Sequence, residues 1–454
     1  MSMKRFLPLI LSISIIPNIS AQSITPFEFQ TADELRIYGG FQPFAISPDG
    51  RYATGSTLSM NGFFYDFTED KAKVINEIDD NGTISYNCEL LAINNDGIAV
   101  GYDENGGVMI DVNGGYKIIQ GEEEGVAMAM LSDLTADASV VVGAIADSGW
   151  VQRACYWKDG KRVMLDTPTE EEMGFRVNGS RAIAISADGS VILGYLIDRQ
   201  QWNPMVLWQL DDNGEYVLNT VCKDYFEGNS QVTYDDDGNV TNIERGDNPF
   251  LEFRPGALSA DGKMVAMYLA PNTDELMPEA KLGIYYIDRD ELEVIEDEKG
   301  LIARYNGIFT ISGISNEGDI VGVAGDMWMG TMAFYMNGKD KVAKSLGDAF
   351  PSIEALQEYS EEAPAGNPFF SSAITPDGRY ILGYIYMGEE FITHSFRVDT
   401  GKEGAVRSLA DEPADGIYRV FNLQGVKILE TKDASLINEL PKGIYLVNGK
   451  KIAR

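Results

Sequence analysis

Histidine occurs once in the 454 residues, at His394, and that scarcity removes whole classes of chemistry. A multi-histidine zinc site cannot be assembled from one imidazole. A Ser-His-Asp triad would have to use His394, yet no Gly-x-Ser-x-Gly elbow accompanies it. Cysteine is almost as scarce. Cys88, Cys155 and Cys222 are odd in number, far apart and without metal-ligand spacing, so buried thiols are expected, with one disulfide as the alternative. Positive charge is short as well: 36 Lys and Arg against 70 Asp and Glu leave a formal charge of −34, spread along the chain. A field of that sign repels phosphate backbones and anionic lipid, which argues against nucleic-acid and membrane-surface partners. Beyond the first residues there is no long apolar run, so no later segment reads as a transmembrane span.

The single apolar run lies at the start. Lys4 and Arg5 precede Phe6 to Ile16, Pro17 ends the run, and Ile19-Ser20-Ala21 offers small residues for cleavage before Gln22. This pattern predicts a signal peptide over 1–21 and an exported chain, crossing the periplasm to the extracellular space or cell surface. No cysteine follows the cleavage point, so no lipid anchor is expected.

A short phrase recurs seven times: apolar, Ser or Asn, any residue, Asp-Gly, then an apolar stretch ending in Gly. It reads Ala45-Ile46-Ser47-Pro48-Asp49-Gly50 with Gly55, and Ala92-Ile93-Asn94-Asn95-Asp96-Gly97 with Gly101. A decayed copy runs from Leu134-Thr135-Ala136-Asp137 to Gly143, and Ala184 to Gly189 with Gly194 is the cleanest. Ala257 to Gly262, Gly313 to Gly318 with Gly322, and Ala373 to Gly378 with Gly383 complete the set. An aromatic-apolar segment follows each copy: Phe63-Phe64-Tyr65, Val108-Met109-Ile110, Cys155-Tyr156-Trp157, Val206-Leu207-Trp208, Ile284-Tyr285-Tyr286, Ala333-Phe334-Tyr335 and Ser395-Phe396-Arg397. Asp-Gly is a hairpin turn, because glycine accepts positive φ and the Asp side chain caps its own turn. Two strands around that turn, an aromatic third and a fourth after a polar turn describe one propeller blade. The expected fold is all-β: a seven-bladed β-propeller over 22–404 followed by a small C-terminal β-sandwich. Insertions are expected near 223–254 and 344–370, with a short helix in Pro351 to Tyr359. Either the segment before Gly39 or the one after Gly401 completes the last blade.

The Ser-x-Asp-Gly phrases resemble the Trp-Asp-type propellers of bacterial envelope proteins and the related extracellular HAF repeats, over roughly residues 40 to 400. That resemblance implies the fold and leaves the function open.

After Gly404 the pattern changes. A turn-rich linker, 405–415, leads to a module over 416–454 with strand-like runs and an Asn448-Gly449 turn. Tyr418 with Asn422-Leu423-Gln424-Gly425, then Leu440-Pro441-Lys442-Gly443-Ile444-Tyr445, and finally Lys450-Lys451, resemble the C-terminal sorting domain of type IX secretion in Bacteroidetes. The resemblance implies Tyr418, Gly425, Leu440, Pro441, Gly443, Tyr445 and Lys450 as motif residues and the type IX machinery as a partner.

Few residues suggest chemistry. Asp235, Asp237, Gly238 and Glu244 fall at EF-hand positions, but Thr233 stands at position one and the flanks alternate like strands, so a β-hairpin is expected. Acidic residues are everywhere and nothing singles out a catalytic pair. No catalytic residue, metal or cofactor is assigned. Blade topology puts the Asp-Gly turns on one face and the second-to-third loops on the other. Trp150, Trp202, Trp328 and Phe391, with Met60 and Met387, belong to the second-to-third loops. Large amphipathic side chains on one rim suit recognition of a glycan or an envelope protein. The alternatives are a propeller hydrolase or lyase using channel carboxylates and a structural envelope component.

Overall fold

In the computed structural model, the described residues are 22–27, 40–402 and 418–453, less 76, 79–83, 86–87, 105, 120–125, 170–176, 199–203, 220–230, 236–239, 245–248, 274–278, 327–329, 360–367, 388–391, 423–426, 433–435, 437–439, 441–443 and 448–449. The chain divides into a unit Gln22–Thr400 and a second unit containing Gly401–Arg454.

The first unit is a ring of seven four-stranded antiparallel sheets. Blades 1 to 6 take their strands in chain order, beginning with Phe41–Ile46, Glu89–Ile93, Val126–Leu134, Val177–Ile185, Phe250–Leu258 and Phe309–Ile314. Blade 7 has Phe369–Ile374, Tyr380–Met387 and Ile392–Asp399, and its fourth strand is Ser23–Phe27 from the other end of the unit. The segment before Gly39 therefore closes the ring. First strands touch their counterparts in neighbouring blades, whereas fourth strands such as Lys161–Met164 lie outermost and exposed. The inserted segments also form as expected: Gln231–Tyr234 pairs with Val240–Glu244 as a hairpin, and Glu354–Tyr359 is a 3-10 helix.

Each Asp-Gly phrase builds the same turn. Ser47 Oγ donates to Asp49 Oδ1 at 2.6 Å and accepts from the Tyr52 N–H at 2.9 Å, while Gly50 takes φ +75. Thr135–Asp137, Ser186–Asp188, Ser259–Asp261 and Thr375–Asp377 repeat the hydroxyl–carboxylate bond. Blade 2 uses Asn94, whose Oδ1 accepts from two backbone N–H groups, and blade 6 shifts the carboxylate to Asp319.

Neighbouring turns are bonded to one another. The Ala136 N–H donates to the Ala187 carbonyl at 3.0 Å, Ala187 to Ala260 at 2.8 Å, and Asn316 to Pro376 at 2.8 Å. Asn94 Nδ2 reaches the Ala136 carbonyl, and Asn95 and Asn316 accept from Asp49 and Asp261. This face is a hydrogen-bonded collar around the axis.

Every first strand carries a β-bulge at the same place, between Pro43 and Ala45 in blade 1 and between Ser371 and Ala373 in blade 7. The bulge explains the glycine that ends the phrase. A Cβ on Gly55, Gly101, Gly143, Gly194, Gly322 or Gly383 would fall 1.8 to 2.5 Å from a first-strand carbonyl oxygen. Bulges bend and twist a strand, and seven equivalent bends turn the first strands around one axis.

The second unit has an antiparallel four-stranded sheet in the order Lys427–Thr431, Tyr418–Asn422, Ile444–Val447, Lys450–Ala453. Tyr418, Val420 and Tyr445 form its buried cluster, with Leu429 and Leu440 packed against it.

Candidate functional site

The second strands present a repeated exception to burial. Tyr102, Tyr195, Tyr268 and Tyr384 each sit half-buried between two buried neighbours. Each lies directly opposite a first-strand residue: Glu89 with Tyr102, Arg181 with Tyr195, Arg254 with Tyr268, and Phe370 with Tyr384. All eight occupy one register level, five residues before the turn Ser, Asn or Thr on the first strand. Opposed residues in an antiparallel pair point to the same side of the sheet. First strands lie innermost, so this level forms a belt around the axis, in the half nearer the second-to-third turns, and on it Tyr268 packs against Phe309 of the next blade at 5.3 Å.

The belt mixes aromatic faces with charge. Phe370 stacks on Tyr384 at 4.7 Å, and the Arg254 guanidinium lies over Tyr268 at 4.9 Å while also pairing with Glu252. Tyr102 donates to Glu89 Oε2 at 2.5 Å. Burial, then this hydrogen bond, pushes the Tyr102 pKa up to about 12, and the Arg181 guanidinium opposes that shift through space. Tyr102 belongs to blade 2 and Arg181 to blade 4. At that level blade 3 offers only Met130 opposite Ala144. Arg181 Nε, like Arg162 Nη1 and Arg397 Nε, is buried with no hydrogen-bond partner among the described residues.

Asp133 is another first-strand carboxylate, in a position where six blades have Ala or Gly. It clamps blades 3 and 4: Oδ2 accepts from the Ile185 N–H at 2.9 Å and Oδ1 from the Leu134 N–H at 2.8 Å. Burial raises its pKa to about 7 against the effect of these bonds. Protein surrounds the carboxyl, although the residue keeps some accessible surface. With both oxygens engaged by backbone donors, Asp133 acts as a fastening between blades. Among the described residues, no three His, Cys, Asp or Glu side chains gather as a metal site.

Of the rim residues singled out in the sequence, Trp202, Trp328 and Phe391 lie outside the described residues. Trp150 is 70% exposed at the tip of the second-to-third turn of blade 3, and Met60 is 45% exposed in the equivalent turn of blade 1. Both take φ +61, and each donates its N–H at 2.9 Å to the residue three before it, Asp147 and Thr57. They stand two blades apart and do not form one patch. Met387 packs partly on the core, and His394 is a third-strand residue opposite Ile385. In the C-terminal sheet Tyr418 and Tyr445 are buried, Leu440 packs against them and Lys450 pairs with Val447, while Gly425, Pro441, Gly443 and the linker lie outside the described residues. The belt carried its own sequence signal, the repeated dipeptides Gly101-Tyr102, Gly194-Tyr195 and Gly383-Tyr384.

No protein-family model matches the chain, and no curated protein matches it. Among solved structures it is similar to an oligogalacturonate lyase in complex with manganese, at 12% identity, covering 83% of this chain and 96% of that one with a TM-score of 0.48. The oligogalacturonate lyase of Vibrio parahaemolyticus is similar at 12% identity, 84% and 97% coverage and a TM-score of 0.47. TolB of Acinetobacter baumannii is similar at 12% identity and a TM-score of 0.33; the match covers 67% of this chain and spans 53% of that protein's length.

Proposed function

We propose that this chain is an exported recognition module that binds a glycan in its channel from the side of the second-to-third turns. The observation that carries the reading is the belt, with four half-buried tyrosines at one level, three of them opposite a charged residue. Aromatic faces and a few polar groups inside a concave, preformed ring suit a hydroxylated ligand. The hydrogen-bonded collar occupies the Asp-Gly face, which favours approach from the opposite side. Trp150 and Met60 would then flank the approach instead of forming the site. A glycan array probed with the mature chain and with Tyr102→Ala/Tyr195→Ala tests this. Binding lost in a folded double variant supports the belt. Binding that survives there and disappears in Trp150→Ala returns the site to the turn tips, and an array with no signal removes the glycan reading.

The C-terminal module is proposed as an export signal read by the type IX machinery. Residues 416–454 hold seven Lys and Arg against three Asp and Glu, a net of +4, which leaves −38 on residues 1–415. A basic module attached to an acidic cargo is electrostatically distinguishable from that cargo. Deleting 416–454 should trap the propeller in the periplasm. Unchanged surface delivery would give the module another role.

A further inference from the structure

Blades 1 and 7 finish the Asp-Gly face in the same way. Arg51 lies over the Tyr52 ring at 4.6 Å and pairs with Asp66 at 2.7 Å, and Arg379 lies over Tyr380 at 4.8 Å and pairs with Asp399 at 3.1 Å. Each tyrosine stands opposite its aspartate in the register. The ring also fills the seam to the next blade: a Cβ on Gly50 would fall 2.2 Å from Tyr380, and one on Gly97 3.5 Å from Tyr52. Blade 3 replaces all three residues. Ser139 stands for the arginine, Val140 for the tyrosine and, opposite it, Lys158 for the aspartate. The seam to blade 4 is consequently underfilled. A Cβ on Gly189 would meet Thr135 and the Tyr216 hydroxyl but no atom of Val140 within 4 Å, and a cleft of about 310 Å³ opens there.

The lining of this cleft is charged on two sides and apolar between them. Lys158 makes no ion pair among the described residues, and Lys161, directly opposite it, is a second cation. Like charges facing each other across a strand pair are unfavourable, and an anion bound there relieves them. Nearer the axis, the bond from the Ala136 N–H to the Ala187 carbonyl sets Asp137 and Asp188 on adjacent turns. Each commits Oδ1 to its own turn, and Oδ2 of each accepts no hydrogen bond among the described residues. Hydrogen bonds from Ser139 and Thr135 hold the Asp137 carboxyl down at about 2, so it stays charged. Tyr216 forms the blade 4 wall. Its hydroxyl donates to the Gly189 carbonyl at 2.6 Å, its ring meets Tyr156 edge-on at 5.0 Å, and Leu210 lies opposite it in the register.

We propose that this cleft is a second binding site and that its ligand is an aromatic α-amino acid. The ligand's ring takes the place of the missing tyrosine against Val140, Leu210 and Tyr216. Its carboxylate pairs with Lys158, and its ammonium group lies beside Asp137 and Asp188, the charge that arginine supplies in blades 1 and 7. The site lies on the Asp-Gly face, away from the second-to-third turns, and is independent of the glycan reading. A volume of this size is at the small end of ligand pockets, which suits a single amino acid.

Titration calorimetry on the mature full-length chain tests this with phenylalanine and three partial probes. Phenylethylamine lacks the carboxylate, hydrocinnamate lacks the amine and alanine lacks the ring. Wild type should bind phenylalanine about tenfold or more tightly than any of the three, the contribution of one charge-assisted hydrogen bond or one buried ring. Val140→Tyr restores the residue of blades 1 and 7 and should abolish binding in a chain that melts like wild type. Lys158→Gln, at an exposed position, keeps the test open should Val140→Tyr unfold. It should bring phenylalanine down to the affinity of phenylethylamine and leave phenylethylamine itself unchanged. Tyr102→Ala/Tyr195→Ala should bind phenylalanine as wild type does. Loss of binding in that folded double variant would move the ligand to the belt and overturn the cleft. Phenylalanine affinity that survives in Val140→Tyr or Lys158→Gln, partial probes that bind as tightly as phenylalanine, or no heat with any probe would each overturn it as well.

Discussion

Ala138 occupies the turn position where the other six blades have glycine, and it adopts φ +56 where those glycines take +69 to +82. A Cβ in left-handed backbone costs on the order of 1 kcal/mol. Ala138→Gly should therefore raise stability by about that amount in denaturant melts, and no gain would mean that the decayed turn has relaxed its strain elsewhere. Asp133 has the opposite character, a strained charge within a repeat that otherwise uses Ala or Gly. Its folded pKa, near 7, lies above the usual carboxylate value of 3.8. The protonated form is thus the one the fold favours. Its contribution is fully present below about pH 4 and is lost as pH rises through 7, a change on the order of 4 kcal/mol. Asp133→Asn keeps one acceptor and removes the titration. Wild type should lose melting temperature relative to the variant between pH 4 and 7, with no further divergence above pH 8. A difference independent of pH would mean that Asp133 ionises normally.

At the scale of strands, size is conserved across a blade while the identity of the large residue moves. Gly55, Gly322 and Gly383 lie opposite Phe63, Phe334 and Phe396, whereas blade 5 reverses the order and sets Met267 opposite Gly283. Met267 is fully buried, so Met267→Gly should cost about 2–5 kcal/mol through the cavity it leaves. Met267→Gly combined with Gly283→Phe should recover much of that loss in a double-mutant cycle. Strict additivity would show that the two positions do not share one volume. Gly101→Ala should be destabilising for the contrary reason, since its Cβ would meet the Glu89 carbonyl at 1.8 Å. The repeat and these glycines were legible in the sequence because turn chemistry and close packing are local demands with few residue solutions. The bulges were not legible, because a bulge is a backbone irregularity filled here by Phe44, Leu91, Ser132 and Gly256 alike. The belt was half legible. Its Gly-Tyr dipeptides were visible, but their cross-strand partners Glu89 and Arg181 have meaning only once register places them together. Trp150 drew attention through residue type and loop position, and its turn holds it outward on its own blade.

Closure is a property of the whole ring, and it rests on a strand of five residues. Ser23–Phe27 completes blade 7 by pairing with Ile392–Asp399, and it brings Phe27 into a cluster with Phe41, Tyr65 and Phe67 at centroid distances of 6.0, 4.9 and 5.1 Å. Blade 1 supplies those three rings, so one side chain joins the last blade to the first. Other bonds cross the same seam: Thr393 and Ser395 hydroxyls both donate to the Phe41 carbonyl at 2.7 Å, and Arg397 donates to the Gly50 carbonyl at 2.6 Å beneath the Phe67 ring. Sequence reading left the closing segment undecided, because five residues without a repeat phrase carry no signal until the ring's last edge is known to be empty. Phe27→Ala should cost about 3–5 kcal/mol, the value for a buried aromatic. Removing 22–27 altogether should leave an open edge on blade 7, with a lower and broader melt and a tendency to associate edge to edge. A peptide of residues 22–27 added in trans should bind that edge by strand addition and restore the melting temperature in a concentration-dependent way. A peptide carrying Ala at position 27 should not. Equal rescue by both peptides would assign the closure to backbone pairing alone. Failure of both, with the truncated ring still melting like wild type, would show that the hydroxyl and arginine bonds across the seam hold the ring without its closing strand.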